Sequence, residues 1–402
     1  MSIIIENPEL NKLNPKKRTP KEFLQKYFLH GQQLTDEQEI HFVSSNAESF
    51  DAILMQKYRK IFAFLIPFVV AQFAWWCTAL RYDYLSLYET HWQLPVTMIG
   101  GAIVAGMTAE GGGAVAFPVM TFILHLTPKC ARDFSLMIQS VGMSLALFVI
   151  IFMRIQIEWR AITYSLMGAL PGVVFGFHMI DGLFDAPEKK MLFVSIWAAF
   201  AISLYILNRE KKRTTVPVIQ FFCLWKAVAL MGTGFIGGIF TSFAGSGVDI
   251  ATFSVITLLF KVNEKTATPT TVVIMALLSQ FSVFWRGVVT ADIDLEALNY
   301  LRVTVPVAVS FAPFGAFLGS HFHRLTLAWL VCILEFVAYF GFLCTFPPWP
   351  LLIASVAILF AGFIFFSFLS RAGKRLTEDE LGIIDPHAIV PCKTDDAIIV
   401  CK

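Results

Sequence analysis

The chain has 402 residues, of which 56% are hydrophobic and 15% charged, with a formal net charge of +2 and a mean hydropathy of +0.67. Soluble domains carry about a quarter charged residues, so this composition excludes an ordinary soluble globular protein and indicates a polytopic membrane protein. The few charges fall in loops and tails and form no basic face, which excludes nucleic acid as a partner.

The first sixty residues are polar, with a Lys16–Arg18 basic run and an acidic stretch from Thr35 to Glu39. They lack the early apolar core of a cleavable signal peptide. We expect a cytosolic leader over residues 1–60, within which residues 27–42 form an amphipathic helix lying on the membrane face. Apolar runs of about 17 to 25 residues can cross a bilayer. They occur at 61–80, 134–153, 161–182, 191–207, 270–289, 297–320, 326–346 and 350–370. The seven cysteines are scattered without Cys-x-x-Cys spacing, so neither a disulfide framework nor a zinc site is expected. No cofactor is expected.

Two further apolar segments, 94–126 and 224–260, are too long for one crossing and are broken by glycines in TAEGGG and FAGSGVD. If each crossed once, the strongest basic loop, with Arg209, Lys211, Lys212 and Arg213, would face away from the basic leader. If each folds back as a hairpin, that loop joins Lys57, Arg59, Lys60, Arg154, Arg160, Lys261, Lys265, Arg371, Lys374 and Arg375 on one side. The acidic loop of Asp292, Asp294 and Glu296 then faces the other. The positive-inside rule favours the hairpins, with both termini cytosolic. A full crossing and a re-entrant hairpin give the same parity.

The two hairpins read as a repeat. Gly111–Val115 aligns with Gly245–Asp249, residues 131–135 with 266–270, and LPGVVFGFH (170–178) with APFGAFLGSH (312–321). The expected fold is therefore an all-α polytopic membrane protein of two inverted-topology repeats, each a glycine-broken helical hairpin plus three transmembrane helices, with one extra span at each end. The divisions are 1–60 leader, 61–93 first span and outer loop, 94–213 first repeat, 214–346 second repeat, 347–371 last span, and 372–402 cytosolic tail. Broken helices at matching positions of inverted halves point to a secondary transporter with its site where the breaks approach.

The breaks suit an anion, because a half-helix start exposes N–H groups at a positive dipole end and glycine removes obstructing side chains. The expected substrate contacts are Gly111, Gly112, Gly113, Ser135, Gln139, Gly245, Ser246, Gly247, Thr268, Thr270 and Gln280, with Thr271 as a further hydroxyl. Glu110 and Asp249 read equally as proton-coupling carboxylates or as caps on their own tips. Gly100, Gly101, Gly106, Gly232, Gly234, Gly237 and Gly238 are expected to serve helix packing, and Lys226, Glu335 and His178 to be structural.

The paired motifs, GGGAVAFP after Glu110 and AGSGVD from Ala244 to Asp249, resemble the sulfite and sulfonate exporter family, over about residues 94–370. The resemblance implies two inverted halves that move small sulfur-containing anions such as sulfite, sulfonates or sulfoacetate, often with proton coupling. It also implies anion contacts at both glycine tips and at Ala267–Thr268. The chain departs from the family pattern at Glu110, where an apolar residue is usual, at Ser246, and at Arg132–Asp133, where Ala-Thr is common. The reading is a multi-pass transporter of the plasma membrane or an internal membrane, its partners a small anion, protons, the lipid bilayer and a second copy of the chain in a homodimer. An ion or proton channel of the same fold is the alternative. An intramembrane enzyme would need a nucleophile and base or a metal cluster at membrane depth, and the sequence offers none.

Overall fold

The computed structural model describes residues 50–108, 113–209, 215–322 and 324–383. Residues 1–49 of the leader, with its expected amphipathic helix, and Glu110, Gly111 and Gly112 lie outside the described residues.

The described chain is helical. α1 (Phe50–Tyr82) and a single turn, α2 (Tyr88–His91), precede α3 (Gln93–Met107). The limb opposite α3 is α4 (Gly113–Pro118), which widens into a π-turn at Val119–Ile123. Then follow α5 (Pro128–Phe152), α6 (Trp159–Phe175) with a π-turn at Gly176–Ile180, and α7 (Ala186–Arg209). The second broken pair is α8 (Leu224–Ala244) and α9 (Val248–Ser254), the latter with a π-turn at Val255–Leu259. The rest are α10 (Glu264–Phe284) with a π-turn at Trp285–Val289, α11 (Leu295–His321), α12 (Arg324–Leu343) and α13 (Trp349–Ile383).

Every apolar run named from the sequence lies in one of these helices, apart from up to three residues at an end, and among the described residues six helices are long and apolar enough to cross a membrane. α13 runs past the expected span end through Lys374 and Arg375. Large apolar side chains such as Phe73, Leu80, Phe336, Val356 and Phe368 are exposed; on a chain of this composition they meet lipid. The core gathers around Leu94, Phe117, Phe134, Phe193 and Trp197, with Phe193 stacked between Phe117 and Trp197.

Both broken segments do break. At the second, the chain leaves α8 through Gly245 at φ +81° and enters α9 through Gly247 at φ +154°, conformations that L side chains rarely adopt. The return limbs, Gly113–Ile123 and Val248–Leu259, each span about 17 Å at 1.5 Å per residue. A hydrocarbon core is about 30 Å thick, so neither limb reaches across it.

Local devices recur at one spacing. The π-turns at Val119–Ile123 and Val255–Leu259, the left-handed residues His125 and Lys261, and the side-chain N-caps Thr127 and Asn263 are each 136 positions apart, as Val119 is from Val255. At that spacing Gly111 corresponds to Gly247 and Gly113 to Asp249, two residues away from the motif alignment. Matching glycine to glycine and matching these local devices thus give registers two residues apart.

The packing crosses between the halves: α3 runs along α11, and α8 along α6, while α5 meets α10 and α7 meets α12. The α6–α8 contact is backbone-close. A Cβ on Gly168 would stand 1.9 Å from Met231 O, on Gly172 2.3 Å from Phe235 O, on Gly234 2.0 Å from Ser165 O and on Gly238 2.4 Å from Ala169 O. Gly101 and Gly237 are also filled positions, against Val115 and Val248. Gly100 and Gly232 face open space, so the expected packing role fails there: small size alone does not reveal which side of a helix meets a neighbour.

Candidate functional site

The two broken segments meet against the first half of α5. A Cβ on Gly113, the first described residue of the first return limb, would fall 2.4 Å from Gln139 Nε2 and 3.4 Å from the Cβ atoms of Ser135 and Ser246. A Cβ on Gly245 would fall 2.6 Å from Ser135 Cβ and 2.8 Å from Arg132 O. Gln139 Nε2 donates to Gly245 O at 3.0 Å. Thus Gly113, Ser135, Gln139, Gly245 and Ser246 form one buried cluster. Ser135 Oγ and Gln139 Oε1 have no hydrogen-bond partner there among the described residues. Buried polar atoms are ordinarily paired, so these two are poised for a group that enters.

The second tip is occupied by its own side chains. The Asp249 carboxylate accepts from Gly247 N–H (2.9 Å), Ile250 N–H (2.9 Å) and Ser246 Oγ (2.8 Å). Thr241 Oγ1 accepts from Val248 N–H at 3.1 Å. The half-helix donors that the sequence offers to an anion at Gly247 are therefore taken, and Ser246 Oγ is turned toward Asp249. These hydrogen bonds make Asp249 a cap on its own tip.

Two residues expected at the site lie elsewhere. Thr270 Oγ1 donates to Thr266 O and accepts from Glu158 N–H at 3.0 Å, tying the start of α6 to α10. Gln280 is exposed and donates to Ser144 Oγ at 2.5 Å across the α5–α10 contact. Both sit on α10 with Thr268, but on other faces of the helix, a distinction that a list of polar residues along one span cannot make. Thr271 donates back to Thr268 O at 2.9 Å. Lys226 is buried, with Nζ on Gln220 O at 2.8 Å and over the Trp225 ring. His178 accepts from Trp285 Nε1 at 3.1 Å.

Thr268 lines a cavity of about 550 Å³. The cavity runs from Glu264 and Lys265 at the start of α10, past Ile155, Thr268 and Pro269, to Gln139 and Thr108 beside the tips. Met98, Ala102, Ile138, Val272 and Val309 make most of its wall apolar, and Phe64, Pro67 and Phe68 of α1 close one side. Its polar lining groups are Glu264, Lys265, Thr268, Gln139 and Thr108.

On the other side of the tips lies a cluster of charges. Asp133 Oδ1 pairs with Arg132 Nε at 3.0 Å and Arg286 Nε at 2.9 Å. Its Oδ2 accepts from Arg286 Nη2 and from Asp294 N–H, each at 3.1 Å. Arg132 Nη1 pairs with Asp181 at 2.6 Å, and Asp181 with Lys189 at 2.7 Å. Arg286 also reaches Asp292 at 3.2 Å, and Asp292 pairs with Lys129 at 2.5 Å. Both guanidinium groups lie over the Phe177 ring, at 5.6 and 5.5 Å. The sequence signal for this cluster is Arg132–Asp133, a departure from the family pattern; Arg286 and Asp181, at the ends of apolar runs, carry no local signal of it.

Two glycine-broken helix pairs meeting over buried polar side chains, in a multi-pass integral membrane protein, are the build of a membrane transport protein. The family model described as sulfite exporter TauE/SafE matches residues 93–342, more than half of the chain, and the chain belongs to that family of membrane transporters. The match begins at α3 and ends with α12, so α1 and α13 lie outside it. No curated protein and no solved structure matches the chain.

Proposed function

We propose that the protein carries a small oxyanion of sulfur, sulfite or a sulfonate, across the membrane by alternating access around the Gly113–Ser135–Gln139 cluster. The observation that carries this reading is the cavity lined by Gln139 and Thr108, next to a buried Ser135 hydroxyl that has no partner among the described residues. The Ser135 hydroxyl and the second N–H of the Gln139 amide, whose first N–H donates to Gly245 O, are neutral donors that hold an anion without an ion pair too strong to release. The first tip, Gly111–Gly113, supplies the half-helix N–H groups, since those at Gly247 and Val248 are taken within the second tip. Thr268 lies along the path to the cluster. Glu110, beside the first tip, is the proposed proton carrier.

The halves are read as inverted repeats. The common spacing of π-turns, left-handed residues and caps supports this. So does the exchange of partners, in which each half's first hairpin limb packs on the second simple helix of the other half. With both termini in the cytosol, the cavity is cytosolic and the charge cluster faces outward. Such halves can rock about a fixed central site.

Flux into proteoliposomes under an imposed pH gradient tests the reading, with sulfite and taurine as probes and empty vesicles as control. We expect saturable, gradient-driven uptake that falls at least about tenfold, or 1.4 kcal/mol, in Gln139→Ala. Proton or cation leak without anion uptake would establish the channel alternative.

A further inference from the structure

We infer that Asp133 and Arg286 form the gate that closes the central cluster from the face carrying Asp292, and that this gate must part during each transport cycle. The inference rests on the alternating-access reading above. It comes from comparing the two faces of the molecule at the 136-residue spacing. Arg132 then corresponds to Thr268, Asp133 to Pro269 and Arg286 to Ile150. All three counterparts line the cavity. The positions that are tied together by ion pairs on one face are thus held apart around open space on the other. Two inverted halves caught with one entrance open would have this appearance.

The cluster is also built to close. Asp133 is six residues, under two helical turns, before Gln139, and Arg132 O touches the space beside Gly245. Arg132 Nη1 lies 3.4 Å from Ser242 O in the last turn of α8. The cluster therefore sits directly over the second tip. It joins the start of α5, the ends of α6 and α10 and the start of α11. α6 and α10 both end there in π-turns, at Gly176–Ile180 and Trp285–Val289. Such turns are a recurrent feature of functional positions in helices.

Charge pairs suit a gate that must reopen. A buried pair gains little net stability over apolar packing, because desolvation offsets attraction. When the face opens, water meets the freed charges and repays that desolvation. The opposite entrance has Ile150 and Pro269 at the matching places, with Glu264 and Lys265 about one turn earlier on α10, so the matching positions themselves meet by apolar contact. The two conformations then differ in how water stabilises them, and cutting one ionic arm shifts the population toward the open gate.

Thiol labelling tests this without depending on the substrate. Ser135→Cys, in a chain whose native cysteines are replaced, is exposed in proteoliposomes to a membrane-impermeant maleimide applied from the Asp292 face. The wild-type gate should protect the thiol. Asp133→Asn should raise the labelling rate about tenfold, and Asp292→Asn, on an exposed side chain that no core depends on, by a smaller factor. Size-exclusion profiles check that both variants are folded, and the Asp292 variant alone decides if the Asp133 variant is not. An unchanged rate in the folded variants overturns the gate. Because no anion enters the assay, faster labelling with no sulfite or taurine flux would leave the gate standing and remove the proposed function, whereas normal flux with unchanged labelling would do the reverse.

Discussion

Asp249 accepts three hydrogen bonds at the second tip and leaves Gly247 and Ile250 N–H paired inside the protein. Removing a buried acceptor strands its donors, at about 1–3 kcal/mol. Asp249→Ala should therefore lower the unfolding midpoint in detergent, and Asp249→Asn, which keeps one acceptor oxygen, should lower it less. A coupling carboxylate would instead leave the midpoint unchanged and remove the pH dependence of flux. Gly113 makes a second demand at this scale. Its missing Cβ leaves room for Gln139, so Gly113→Ala should displace that amide and reduce flux at least tenfold, about 1.4 kcal/mol, while the protein still elutes as folded.

At the scale of elements, the α6–α8 contact sets the tightest limit. Gly172 and Gly234 admit no Cβ without backbone movement, whereas Gly232 on the same helix as Gly234 faces open space. Gly234→Leu should abolish the folded peak in size-exclusion chromatography. Gly232→Ala should hold or raise stability by up to about 1 kcal/mol, the ordinary helix preference for alanine over glycine. The helices themselves were legible, because long apolar runs in a membrane chain have few alternatives to helix. The break at FAGSGVD was legible too, since Gly245 and Gly247 take backbone conformations open to little else. The register between the two tips was not. Glycines were aligned with glycines, but the spacing set by caps and π-turns pairs Gly113 with Asp249.

For the whole molecule, the charge cluster defines the pH response of one face. Asp292 is held below the ordinary carboxylate range, first by its hydrogen bond from Lys129 and then by Arg286. A lowered carboxylate contributes fully above its unfolded value, about 4, and loses that contribution as pH falls through the folded one. The Lys129–Asp292 arm should thus be constant between about pH 5 and pH 8 and weaken only below about pH 4. Labelling of Ser135→Cys from that face, followed against pH, checks this: acceleration should begin only in the acid range and be absent in Asp292→Asn.

Sequence alone determined that the chain is a multi-pass membrane protein, where its helices run, where two of them break, and which family it resembles. Each of these depends on composition, apolar length or local backbone freedom, which neighbours along the chain decide. Tertiary structure decided the rest. Ser135 and Gln139 share a site with Gly113 while Thr270 and Gln280, equally polar and equally placed along their span, face other partners. Arg286 finds Asp133 from 153 residues away. Which face of a helix meets which neighbour is set by packing between distant segments, and no local pattern encodes it.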